Sequence, residues 1–237
     1  MTKRLNIKYH EAYNEHKNFK DVVDYANSII DGTKVANKEQ VQGCKRFFED
    51  LENEEYEMNF DDAEYCITVI EETFVHIKGD VKGQPFLMEI WQKYIIYNVA
   101  GIYKVGKDLR KYSETFIYLP RKNSKTFFVS ALAWAFSLLE YKYGSNLYIV
   151  ATKLRSAMEA WNNIKENIED MGERENFRIL DNNAEHSISR KFYDDYGKVI
   201  GNIRIEAIAQ DAKRADGLAA NLLIMDKSNL SLTSEMM

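Results

Sequence analysis

The stretch FFVSALAWAFSLLEY (127–141) limits this chain more than any other part of it. Together with Lys125 and Thr126 it predicts a helix over 125–141 that is apolar on nearly every side. Such a helix offers no face to water, so it must be covered all round. A bilayer does not fit as the cover, because the apolar core 127–139 falls short of the roughly 18 residues that span one. The helix therefore belongs inside a folded protein.

Its neighbours indicate what buries it. SETFIYL (113–119) before it and NLYIVA (146–151) after it read as strands. TKLRSAMEAWNNIKENIEDM (152–171) is an amphipathic helix with Leu154, Met158, Trp161 and Ile164 on one face. FRILD (177–181), HSISR (186–190), NIRIEAIA (202–209) and the apolar LLIMD (222–226) read as further strands. Strands alternating with helices predict an α/β fold with a mostly parallel sheet. The first part of the chain is different. Residues 21–30, 38–58 and 59–77 have helical periodicity, and KGDVKGQ (78–84) breaks it. An apolar helix is expected over 84–103 and a basic loop or hairpin over 104–114, with Lys104, Lys107, Arg110 and Lys111 in solvent. The acid run 50–57 reads as a solvated helix face. The expected organisation is a helical segment, 1–77, followed by an α/β domain, 78–237.

Composition narrows the function classes. With 237 residues, 45% hydrophobic and 29% charged, the chain suits one globular domain or one plus an appendage. A net charge of −5 gives no general attraction to nucleic acid or to a membrane surface. Cys44 and Cys66 form no CxxC, and His10, His16, His76 and His186 have no ligand spacing, so no zinc site is expected. The N-terminal residues contain no apolar signal core.

Between the first strand and the buried helix lies LPRKNSKT (119–126). A loop ending in Lys-Thr at a helix start suits phosphate: the lysine reaches the β- and γ-phosphates, the threonine hydroxyl holds Mg²⁺, and N–H groups cradle the anion. The strict motif, G-x-x-x-x-G-K-[ST], has glycine where this chain has Leu119 and Ser124. An acid after a second buried strand, here Asp226, would complete the Mg²⁺ shell.

PRKNSKT closely resembles the variant phosphate loop, R-K-N-G-K-[ST], of tailed-phage terminase large subunits, ATPases that pump DNA into procapsids. That variant usually lacks the first glycine. Further matches follow in the family's order: Asn59-Phe60-Asp61, then Gln84-Pro85-Phe86-Leu87 with Trp91-Gln92, then IVATKLRSAMEAW (149–161), and an Asp216-Gly217 turn before the acidic strand. The resemblance implies a P-loop NTPase fold preceded by helices, with ATP and Mg²⁺ as cofactors. It places Arg121, Lys122, Asn123, Ser124, Lys125 and Thr126 on the phosphates and Gln92 near the adenine. Thr126 and Asp226 would hold the metal, with Lys125 and Arg121 in catalytic roles. The implied partners are double-stranded DNA, a terminase small subunit and a portal protein, in a ring of identical subunits within the host bacterial cytoplasm and with no membrane.

Three departures from the family pattern affect the expected activity. Ser124 replaces the second glycine. The family's Asp-Glu pair is Asp226-Lys227 here, and an ammonium has no lone pair with which to polarise an attacking water. The resemblance assigns no element to SNLSLTSEMM (228–237) after Asp226-Lys227, so a truncated or frame-disrupted terminase without its nuclease domain is expected. ATP hydrolysis is therefore expected to be impaired. A helicase-like ATPase would carry Asp-Glu-x-His/Asp, which Asp226-Lys227-Ser228-Asn229 does not. A nucleotide-binding module without turnover remains the alternative.

Overall fold

The computed structural model describes residues 5–120, 123–209 and 219–225. These form two compact units. The first is drawn from Met1–Glu71 and Leu87–Tyr118, the second from Glu72–Phe86 and Leu119–Met237.

The first unit is mainly helical: α1 (His10–Glu15), α2 (Lys17–Ile30), α3 (Lys38–Glu52), α4 (Phe60–Thr73, whose end enters the second unit) and α5 (Ile90–Gly101). Two short strands, β1 (Tyr56–Met58) and β2 (Ile102–Lys104), pair antiparallel. Asn37 starts α3 with a reciprocal cap. Its side-chain oxygen accepts from Gln40 N–H at 2.8 Å, and the Gln40 side chain accepts from Asn37 N–H at 3.0 Å. The helices meet over aromatic rings, with Phe19 5.0 Å from Phe60 and 5.6 Å from Tyr97, centroid to centroid.

Carboxylates tie this unit together through buried and half-buried phenols. Tyr97 donates to Glu64, Tyr103 to Asp62 at 2.5 Å and Tyr112 to Asp50 at 2.6 Å. Burial, then the facing carboxylate, pushes all three phenols well above the usual tyrosine range. Asp50 corrects the reading of the acid run. It is buried, and Lys111 pairs with it while lying over the Tyr56 and Tyr112 rings. Glu52, Glu54 and Glu55 are exposed, as expected. The basic segment is likewise only part solvated, since Arg110 sits over the Tyr103 ring and Lys111 is bound to Asp50.

The helix expected from residue 84 begins only at Ile90. Pro85 disfavours helical backbone at the residue before it. Phe86 N–H instead donates to the Phe74 carbonyl at 2.8 Å, and Met88 N–H to the Glu71 carboxylate at 3.1 Å.

The second unit is a sheet with two long helices. Its strands, β3 (Ser145–Ala151), β4 (Arg178–Asp181), β5 (His186–Tyr193), β6 (Val199–Ala209) and β7 (Leu222–Met225), lie in the order β4-β5-β6-β3-β7. The sheet is parallel over β6-β3-β7 and antiparallel over β4-β5-β6. Helix α6 (Lys125–Leu139) packs on β3, β6, β7 and on α7 (Leu154–Asp170). That environment explains its apolar circumference. Phe128, Ala131, Ala133, Trp134, Ala135 and Phe136 are all buried. Among the described residues, no helix is long and apolar enough to cross a membrane.

One expected strand is absent. Residues 113–118 are in no β-ladder, and Phe116 and Tyr118 stand 76% and 83% exposed. Both neighbours of β3 are already taken, by β6 and β7. A strand needs backbone partners as well as an alternating pattern.

Candidate active site

The phosphate-loop candidate ends where α6 begins. Ser124, the residue before the helix, has φ 47° and ψ 27°, in the left-handed region. Among the described residues it is the only non-glycine with positive φ. The position aligned with the motif's second glycine thus adopts a backbone that glycine takes without strain. Its hydroxyl makes no capping hydrogen bond, while its carbonyl accepts from Phe128 N–H at 2.9 Å. Asn123 Nδ2 donates to the Pro120 carbonyl at 3.3 Å and closes the loop on itself.

Lys125 and Thr126 are the first two helical residues, both half-buried. The first N–H groups of a helix lie outside its internal ladder, and the aligned peptide dipoles put partial positive charge there. Lys125 adds a full charge and forms no ion pair with a described residue. A concentration of positive charge and outward N–H groups at the head of a 15-residue buried helix suits a phosphate chain. Phe127 fixes this end. Its ring lies 5.2 Å from Phe74, 4.9 Å from Phe86 and stacked at 5.2 Å on His76.

The remaining expected site residues fall in three places. Arg121 and Lys122 lie outside the described residues. So do Asp226, Lys227 and the Asp216-Gly217 turn. Strand β7, which ends immediately before Asp226, runs parallel to β3 and packs against α6, so the elements bearing the loop and the acid are neighbours in one unit. Gln92 belongs to the first unit, on α5. It is buried, and its side-chain oxygen accepts from Glu89 N–H at 2.8 Å, a helix-capping role that the sequence reading did not assign. Among the described residues no group of three or more His, Cys, Asp or Glu is arranged to hold a metal. A cavity of about 460 Å³ in the second unit is lined by Tyr141, Arg190, Phe192 and Tyr193 among others, and by none of the loop residues.

Sequence reasoning also missed the polar side chains behind the loop. Ser130, Asn163 and Asn167 are buried and hydrogen-bonded. A signal for them exists, since Asn163 and Asn167 fall four residues apart on the inward face of α7, among Ala160, Ile164 and Ile168.

Residues 90–237 match the model of the family described as terminase large subunit, ATPase domain. The chain belongs to the terminase large subunit family. The match covers more than half of the chain, including the loop, α6, the whole five-stranded sheet and the acidic strand. No curated protein and no solved structure matches it. The α/β architecture of this terminase ATPase domain, with a mixed sheet and α6 behind it, is consistent with the P-loop NTPase-like fold expected from the loop. The family is that of phage DNA-packaging motor ATPases.

Proposed function

We propose that this terminase domain binds ATP with Mg²⁺ at residues 119–126 and hydrolyses it slowly. Lys125 neutralises the β- and γ-phosphates, N–H groups at the α6 N-terminus hydrogen-bond them, and Arg121 stabilises charge on the γ-phosphate. Lys122 and Asn123 line the loop. The Thr126 hydroxyl and the Asp226 carboxylate supply oxygen ligands suited to Mg²⁺, a hard cation. Mg²⁺ would add charge neutralisation across the β- and γ-oxygens. The backbone of Ser124 carries this reading furthest. A left-handed turn directly before Lys-Thr at the head of a buried helix is the backbone that the glycine of a phosphate loop supplies. In a complete motor, the work would be done on double-stranded DNA by a ring of subunits with a small subunit and a portal, inside the host cell.

Lys227 stands where the family has its water-orienting glutamate and cannot take that role. Nucleotide binding and turnover therefore separate. Titration with MgATP, beside a phosphate-release assay, tests this. Binding that Lys125→Ala removes, with turnover that rises by orders of magnitude in Lys227→Glu, is the expected result. Brisk wild-type turnover abolished by Lys125→Ala would refute impairment. Absence of binding in folded wild type and in folded Lys227→Glu would refute the ATPase assignment.

A further inference from the structure

A chain of buried hydrogen bonds runs from the head of α6 through α7 to the hairpin at 74–86. Ser130 Oγ donates to the Thr126 carbonyl at 2.6 Å. Asn163 Nδ2 donates to Ser130 Oγ at 3.1 Å. Asn167 Nδ2 donates to the Asn163 carbonyl at 2.8 Å, and Asn167 Oδ1 accepts from Val75 N–H at 2.6 Å. Ser130, Asn163 and Asn167 are 0%, 6% and 1% exposed. The chain therefore starts at the carbonyl of a proposed Mg²⁺ ligand, passes through buried side chains on two helices, and ends on the hairpin backbone.

The hairpin is itself well defined. Phe86 N–H donates to the Phe74 carbonyl, His76 N–H to the Gln84 carbonyl at 2.9 Å and Gly83 N–H to the His76 carbonyl at 2.7 Å. It touches α6 a second time through apolar contacts, where Phe74, His76 and Phe86 enclose Phe127. Thr73 Oγ1, just before it, accepts from Trp134 Nε1 at 3.0 Å. The hairpin thus meets the first turn of α6 directly at the ring of residue 127, and is linked to the carbonyl of residue 126 through Asn167, Asn163 and Ser130.

Buried polar groups are costly when left unmade, and a chain of them stays only when every member is satisfied. An apolar side chain at 163 or 167 would suit the surrounding α7 face but would break the link to Ser130 or leave the Val75 N–H without its acceptor, so these residues are tied to the contacts they make. We infer that Ser130, Asn163 and Asn167 are positioning residues for the phosphate loop: they fix the first turn of α6 and couple it to the hairpin at 74–86, so that nucleotide binding at the loop tightens that hairpin. This rests on the proposed nucleotide site and adds a route by which its occupancy is transmitted.

The test compares full-length wild type with Asn163→Ala, with Ser130→Ala as the milder variant that deletes only the hydroxyl link. Ile188→Val, a buried change on β5 outside the chain of bonds, serves as a stability-matched control. MgATP affinity is measured by titration, and amide exchange at residues 73–86 and 125–130 is followed with and without MgATP. In wild type, nucleotide should slow exchange at both segments. In Asn163→Ala and Ser130→Ala, affinity should fall about tenfold. At saturation, protection should return to 125–130 but not to 73–86. Ile188→Val should lose thermal stability with affinity changed less than twofold. Wild-type affinity in both variants, or simultaneous protection of both segments in them, would overturn the inference while leaving nucleotide binding intact. If wild type binds no nucleotide, the proposed function fails first and the positioning role fails with it.

Discussion

Replacing Ser124 by glycine tests whether the loop has a phosphate-loop backbone. Ser124 has φ 47° and ψ 27°, and its hydroxyl caps nothing. A left-handed conformation costs an L-residue with a Cβ about 1 kcal/mol or somewhat more, through the approach of Cβ to the following carbonyl oxygen. Glycine avoids that clash and loses part of the gain to its greater freedom when unfolded. Ser124→Gly should therefore stabilise the second unit by about 0.5–1 kcal/mol. For a chain of this size that shifts Tm by roughly 1–4 °C. Ser124→Ala keeps the Cβ and the strain and loses only an uncapping hydroxyl, so it should stay within about 0.5 kcal/mol of wild type. Urea unfolding measures both, with MgATP titration alongside, where the glycine variant should bind more tightly because backbone can approach phosphate without a side chain. If glycine destabilised the protein, or if alanine cost as much as loss of a cap, the left-handed strain would not be the governing term. The serine would then be there for its hydroxyl.

Two further predictions concern charge. Lys111→Met strands the buried Asp50 carboxylate with Tyr112 as its partner among the described residues, and should cost about 3 kcal/mol in urea unfolding; adding Asp50→Asn should recover more than half of that, and simple additivity would contradict a paired buried charge. Asp181 is held below the ordinary carboxylate range, first by the Lys165 hydrogen bond and then by His186, and Glu185 is lowered by Ser187 and then Arg204. Both folded pKa values are depressed, so their stabilisation is present above the unfolded values, about 3.9 and 4.3, and is lost as pH falls through the folded ones. Asp181→Asn should flatten the stability profile below about pH 4, and an unchanged acid slope would count against the pairing.

The sequence revealed most where one residue's chemistry fixed its own surroundings, and least where a partner decided. The burial of α6 followed from its apolar circumference alone, and the strands β3 to β7 from short strand-like runs between turn residues, β7 from a wholly apolar one. Residues 113–118 carry an equally good pattern, yet they form no ladder, because alternation specifies a face and says nothing about which edge is open. Asp50 looked like one more acid on a solvated helix, and only the fold brings Lys111 and Tyr112 to it from more than fifty positions away. Gln92 was read for its resemblance to an adenine contact, while its oxygen also serves a local need at the head of α5. The loop shows the same division within three residues. Lys125 and Thr126 announce phosphate chemistry by identity. Ser124 argued against it by identity and for it by backbone, since its φ places a glycine-like turn under a side chain that glycine lacks. Ser130 and Asn163 gave no motif at all, because their function lies in a bond between helices rather than in either helix. A reading of this family from sequence should therefore weigh polar residues on the inward faces of the helices flanking the loop, where an asparagine among alanine and isoleucine marks a position that apolar packing could have filled.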